Sequence, residues 1–196
     1  NVKTIESVPL RLRQPVDCIV EGEIWMSKTE FERINAERAA SDEPLFANPR
    51  NIAAGSIRQL DPTAAASRNL DAFFYDVATY SEKLPETQHA ELRLLQDLGF
   101  KVNPHYELAG DIDEVIAYWK KWEQQRDDLD YLIDGVVVKL NNREHYDLLG
   151  FTGKSPRAGA ALKFPAEQVT TVVEDIQLQI GRTGAVTPVA HLRPVL

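Results

Sequence analysis

From Val16 to Met26 apolar and polar positions alternate, with Val16, Cys18, Val20, Gly22 and Ile24 on one face and Asp17, Ile19, Glu21, Glu23 and Trp25 on the other. A period of two is that of a strand. Two carboxylates beside a tryptophan, on a face that also holds Ile19, predict the wall of a half-buried pocket. The period then lengthens: Ser27-Lys28-Thr29-Glu30 has the capping-box form, and Phe31 and Ile34 supply the apolar side of the helix it opens. Asp42 to Pro49 reads as a loop. Leu70 to Val77 returns to strand, with Phe73, Tyr75 and Val77 on one face and Leu70, Ala72 and Phe74 on the other. Pro85 precedes a helix through Leu92, Leu95 and Leu98, closed by Gly99. Asp111 to Glu114 starts another, in which Val115, Ile116, Trp119 and Trp122 fall at helical spacing and read as core.

Ile133 to Leu140 is a β-branched strand, and Gly159 to Phe164 is a second short one containing Lys163. After Pro165 the texture becomes hairpin-rich β sequence, through Thr170-Thr171-Val172-Val173, Ile176 to Ile180 and Gly181-Arg182-Thr183-Gly184. A domain boundary is expected near Glu167, dividing 1–167 from 168–196. Asn1 to Ile5 reads as the continuation of an element rather than a leader.

Composition narrows the class. With 43% hydrophobic residues in 196, the chain can bury one good core and the start of a second unit. No apolar run approaches the roughly 18 residues that span a bilayer, so a cytoplasmic address without membrane contact is the default. Cys18 is alone, which excludes an internal disulfide and a cysteine-pair zinc site, and the four histidines lack ligand spacing. The net charge of -8 argues against a nucleic-acid partner. Its distribution weakens that objection, because nine acidic and three basic residues between Glu107 and Asp134 hold six of the eight excess negative charges. A DNA-facing surface has room around the arginines and the later lysines.

Candidate chemistry begins at Asn48-Pro49-Arg50-Asn51-Ile52-Ala53-Ala54-Gly55-Ser56-Ile57-Arg58-Gln59-Leu60-Asp61. A helix over 51–59 would aim Arg50 and Arg58, eight residues apart, toward one side as an anion site. A capped surface helix, with Asn48 or Asn51 as cap, explains the same spacing. Elsewhere, charges stand inside apolar or small-residue strands, where they call for partners. Glu23 shares a face with Glu21. Asp134 and Lys139 bracket a β run, and strict alternation sends them to opposite faces unless Gly135 supplies a bulge. Lys163 shares its face with Ala161 and Gly159, leaving room for a flat or phosphorylated ligand, and a lysine buried there is either phosphate-bound or strongly perturbed. Arg126, amid Asp127, Asp128 and Asp130, fits a solvated charge run better. Together Glu23, Asp134, Lys139 and Lys163 suggest a nucleotide pocket: one carboxylate for sugar hydroxyls, one for a metal or an amine, and two ammoniums for a phosphorus under attack. There is no Walker loop or Rossmann glycine fingerprint.

The arginine segment resembles the signature of bacterial NAD-dependent DNA ligases. Val20-Glu21-Gly22-Glu23 is similar to nucleotidyltransferase motif III, Asp134 to Lys139 to motif IV, and Leu162-Lys163-Phe164-Pro165 to motif V, in the ligase order. The resemblance implies an α+β fold: an ATP-grasp-like nucleotidyltransferase (adenylation) domain of antiparallel sheets with flanking helices over 1–167. The first strands of an OB-fold would follow in 168–196, where Ile180 to Ala190 is similar to that domain's opening. It implies NAD and Mg²⁺ as cofactors, with nicked double-stranded DNA and the remaining domains of the same ligase as partners. By position, Glu23 would bind the adenosine ribose, and Lys139 and Lys163 would contact the nucleotide and its α-phosphate. Asp134 would serve the reacting centre, by metal or by orienting the nucleophile. Arg50, Arg58 and, more weakly, Arg126 would meet phosphate. The family's nucleophilic lysine lies in a K-x-D-G motif that this sequence lacks, since Leu132 and Ile133 precede Asp134-Gly135. The resemblance therefore implies an N-terminally truncated piece, inactive alone. Two departures stand out: Glu21 where an arginine is common, and Ala158-Gly159-Ala160 in place of a more usual Trp-Ala-Ile. An ATP-dependent ligase or capping-type nucleotidyltransferase would share motifs III to V, and a non-catalytic DNA-binding module could keep the fold.

Overall fold

The computed structural model describes residues 1–153, 155–166 and 168–195. Glu167, where the sequence places the boundary, lies outside the described residues. By internal contacts the chain divides into Asn1–Lys163 and Phe164–Leu196. Among the described residues the architecture is α+β, with six α-helices and four two-stranded antiparallel sheets.

Strand β1 (Cys18–Trp25) pairs with β2 (Asp71–Tyr80) to make the principal ribbon. Cys18, Val20 and Ile24 pack against a core that includes Ile5, Met26, Ile34, Ala72, Phe74 and Val77. Alternation predicts Val77 on the face of Phe73 and Tyr75; instead Val77 is fully buried with Ala72 and Phe74. Two bulges are the cause. Glu21 stands opposite Asp76 and Gly22 opposite Phe74, so Tyr75 is the extra residue; Ile19 opposite Thr79 and Val20 opposite Val77 likewise leave Ala78 over. Each extra residue reverses the in–out order of the strand beyond it. The tight crossing needs Gly22, because a Cβ there would lie 2.6 Å from the Phe73 carbonyl oxygen.

Helix α1 (Lys28–Ala40) starts on Ser27, whose hydroxyl accepts the Glu30 amide at 3.0 Å. The Glu30 carboxylate instead pairs with Arg33 and accepts from the Asn69 amide at 3.2 Å, so only half of the capping box is made. Helices α2 (Pro49–Ile57), α3 (Pro62–Ala66) and α4 (Gln88–Leu98) follow, α4 ending at Gly99 with φ +104°, the left-handed stop that glycine favours. In α5 (Ile112–Gln125) the apolar stripe is only partly core: Trp122 is buried, Ile116 is exposed, and the Trp119 indole N–H donates to the Leu162 carbonyl at 3.2 Å. That bond ties α5 to the second sheet, where a fully apolar side chain would have no such partner.

Strand β3 (Gly135–Lys139), helix α6 (Arg143–Leu149) and the short strands β4 (Phe151–Thr152) and β5 (Ser155–Pro156) lead into β6 (Gly159–Lys163). β3 and β6 pair without interruption, from Gly135 opposite Lys163 to Lys139 opposite Gly159. The bulge proposed at Gly135 is absent, and the residue serves close approach instead: a Cβ would sit 2.3 Å from the Leu162 carbonyl oxygen. The second unit contains an antiparallel hairpin, β7 (Val173–Ile180) and β8 (Val186–Leu192), whose loop closes through Gly184 N–H to the Gly181 carbonyl at 2.9 Å. Among the described residues, no helix is long and apolar enough to cross a membrane.

Candidate nucleotide site

Residues directly opposite in an antiparallel pair share a face, so the β3–β6 register puts Gly135, Val137 and Lys139 beside Lys163, Ala161 and Gly159. The result is a strip with a lysine at each end and small residues between. Four residues of strand separate the ends, about 13 Å, enough for a base, sugar and phosphate laid lengthwise. Val137, in the middle, is 70% exposed, an apolar floor open to a ring face.

At one end Lys163 Nζ meets Asp134 Oδ2 at 2.5 Å. The ammonium holds the Asp134 carboxyl below its ordinary range, and Arg50 adds to the effect from the first turn of α2. Lys163 is not the buried lysine that its neighbours predict, since its side chain is 63% exposed and that of Asp134 73%. Glu23 is exposed as well. The strips belong to two-stranded ribbons with one open face, so little desolvation falls on these charges. Helix α2 begins two residues earlier than expected because Asn48 Oδ1 accepts the Asn51 amide at 2.8 Å and Pro49 suits the first turn. Arg50 and Arg58 are both exposed, with Arg58 at the C-cap, so capping and an arginine-bearing surface coexist.

At the other end Lys139 Nζ lies 3.2 Å from Asp76 Oδ2 and 3.5 Å from the Tyr75 carbonyl oxygen, with its charge 5.0 Å from the Tyr75 ring centroid. Asp134 and Lys139 are therefore not partners of each other, as a salt bridge across β3 would require. Burial pushes the Tyr75 hydroxyl up, and the charges of Glu21, Glu23 and Asp76 add to the push; Glu23 itself stands on β1 opposite Phe73. Sequence reasoning missed Tyr75 and Asp76. The signal was available as an acid set in the otherwise apolar run Phe73 to Val77.

Arg126 occupies the single-turn helix Arg126–Asp128 after α5, 4.0 Å from the Asp127 carboxylate. Among the described residues no group of three or more histidine, cysteine or carboxylate side chains could hold a metal by itself. Of the two departures, Glu21 stands opposite Asp76 in the ribbon, and Ala158 is buried at the entrance to β6.

The family profile described as NAD-dependent DNA ligase adenylation domain matches residues 1–167. Among curated proteins, a DNA ligase of Thermotoga petrophila is 52% identical over 195 residues, covering 100% of this chain and 28% of its own length. A DNA ligase of Shouchella clausii is 51% identical over 196 residues, with 100% and 29% covered, and one of Carboxydothermus hydrogenoformans is 49% identical, with 100% and 30% covered. The chain thus spans less than a third of the length of these relatives.

Proposed function

The chain belongs to the NAD-dependent DNA ligase adenylation-domain family, and we propose that it supplies much of the nucleotide pocket of a ligase that seals nicks in double-stranded DNA. The observation that carries this reading is the strip of β3 and β6, whose two same-facing lysines bracket an exposed Val137 and a floor of glycine and alanine. Adenine and ribose lie along that floor, Glu23 takes ribose hydroxyls, and Lys139 and Lys163 meet the nucleotide and its α-phosphate. Charge grows on the phosphorus oxygens during transfer, and fixed ammoniums stabilise it. To reach phosphate, Lys163 must leave Asp134. An ion pair this exposed contributes at most about 1 kcal/mol, so the exchange is easy.

Three transfers follow. A lysine of a K-x-D-G motif, provided by a segment outside this sequence, attacks the α-phosphorus of NAD and expels nicotinamide mononucleotide. AMP then passes to the 5′-phosphate of a nick, and the 3′-hydroxyl displaces AMP. Arg50 and Arg58 meet phosphate in the nucleotide or the nick, with Arg126 a weaker contributor. The Asp134 carboxylate, freed from Lys163, together with substrate phosphates suits Mg²⁺, which uses few protein ligands and offsets phosphoryl charge. Residues 1–167 form an ATP-grasp-like nucleotidyltransferase domain on this reading, and the β7–β8 hairpin opens an OB-fold. The setting is cytoplasmic DNA replication and repair.

The test mixes this chain with a separately made piece carrying the K-x-D-G lysine, adds Mg²⁺ with NAD or ATP, and weighs the intact chains. An AMP adduct with NAD alone, lost when Mg²⁺ is chelated, is the expected result. An adduct with ATP alone would move the protein to the ATP-dependent branch. No adduct with either nucleotide in the full-length protein would leave a non-catalytic DNA-binding module.

A further inference from the structure

Lys139 has a scaffold that nucleotide contact alone does not use. Asp76 on β2 holds its Nζ at 3.2 Å, and behind Asp76 lies Glu91 of α4, only 1% exposed. Glu91 Oε1 accepts the Val77 amide at 2.8 Å, and Oε2 pairs with the Arg143 guanidinium of α6. Asp76, Glu91, Arg143 and Tyr146 line one cavity of about 20 Å³. Burial pushes the Glu91 carboxyl up to about 7; the Val77 amide and the Arg143 charge oppose this, and the nearby Asp76 carboxylate adds to it. The carboxylate that faces Lys139 thus bonds to Lys139 directly and shares its cavity with side chains of α4 and α6. A lone surface acid would be a loose tether, whereas an acid packed beside the Glu91–Arg143 pair has fewer orientations open to it.

We propose that Asp76, backed by Glu91 and Arg143, is a positioning residue for Lys139 and fixes its ammonium at the Tyr75 end of the strip, where the nucleotide is read. The charged and titratable groups that face Asp76 are Lys139 from β3, Glu21 opposite it on β1, Glu91 from α4, Arg143 and Tyr146 from α6, and its neighbour Tyr75. The proposal rests on the reading of Lys139 as a nucleotide contact, so its test has one readout that needs no catalysis.

In the full-length protein, Lys139 is acylated with an amine reagent and followed by peptide mass spectrometry in wild type, Asp76→Asn, Asp76→Glu and Glu91→Gln. Freeing the ammonium from its 3.2 Å contact should speed labelling in Asp76→Asn several-fold, with Asp76→Glu close to wild type. Glu91→Gln, which keeps the Asp76 charge but alters its neighbour, should label between wild type and Asp76→Asn. Equal labelling of wild type and Asp76→Asn overturns the proposal. Single-turnover AMP transfer from NAD should slow about tenfold in Asp76→Asn, with the KM for NAD nearly unchanged and the rate recovered by Asp76→Glu. An unchanged single-turnover rate also overturns it. Were wild type to form no adduct with NAD, the ligase reading would fall, and labelling would still decide whether Asp76 positions Lys139.

Discussion

The two ends of the β3–β6 strip carry the same pair of residue types under opposite conditions. Lys163 and Asp134 meet at 2.5 Å with side chains 63% and 73% exposed, and Arg50 is the further charge that acts on Asp134. Lys139 and Asp76 meet at 3.2 Å with side chains 22% and 27% exposed, and a buried Glu91, paired with the half-buried Arg143, shares a cavity with Asp76. An exposed pair is easily opened and a substrate phosphate can replace its carboxylate; a braced pair keeps its geometry when the ligand leaves. On the proposed function, exchange belongs to the Lys163 end and alignment to the Lys139 end.

The sharpest break of this contrast is Lys163→Ala or Asp134→Ala in the full-length protein. Either should lower sealing by about 10²- to 10³-fold while thermal unfolding stays cooperative, because the exposed pair holds little of the fold; near-normal sealing would sink the assignment. Gly135→Ala attacks the strip itself. The added Cβ would sit 2.3 Å from the Leu162 carbonyl oxygen, so β3 and β6 must separate, at an expected loss of about 1–3 kcal/mol in denaturant unfolding. Unfolding at the wild-type midpoint would show that the strands are free to shift.

Glu91 sharpens the other end through pH. Its folded carboxyl holds a proton up to about 7, against an ordinary value of 4.5, so the folded state binds more protons between those values. Its contribution to stability is full below the lower value and is lost as pH rises through the upper one. Glu91→Gln does not titrate and keeps an acceptor for Val77; its melting temperature should therefore gain on wild type as pH rises from 4.5 to about 7. A constant gap would mean that Glu91 is ionised throughout. The smallest effect is expected for Arg50→Ala: the slope of log affinity for nicked duplex against log salt should shrink by about one. An unchanged slope would move Arg50 to the nucleotide or the solvent.

The longer strands and helices were legible because they follow a local period or a local cap, as Ser27, Asn48, Asp111 and Gly99 show, whereas α3 and α6, at five and seven residues, were not, being too short to show a period. The faces of β2 were not, because its bulges are set by pairing with β1, a distant segment of the chain. The site residues carried over by resemblance include both lysines of the strip, yet their partners were hidden. Asp76 is 63 residues from Lys139, and Arg143 is 52 from Glu91. Glu91 did leave a trace: it falls on the helical stripe of Leu95 and Leu98, and an acid on an apolar stripe has to find a partner inside the core.

The bulges at Tyr75 and Ala78 also make β2 a strand written in shifted phase. Up to Phe74 one parity points inward, and past Tyr75 the other does, which is how Val77 enters the core while Asp76 reaches Lys139. Most single substitutions along β2 change one contact each, and deletion of Tyr75, the unpaired residue, would leave Phe74, Asp76 and Val77 alternating in, out, in, with Asp76 still opposite Glu21. The strand should therefore accept a missing Tyr75 or Ala78 more readily than a missing paired residue, and natural or engineered variants of this domain should change length at those two places before they do so elsewhere in β2.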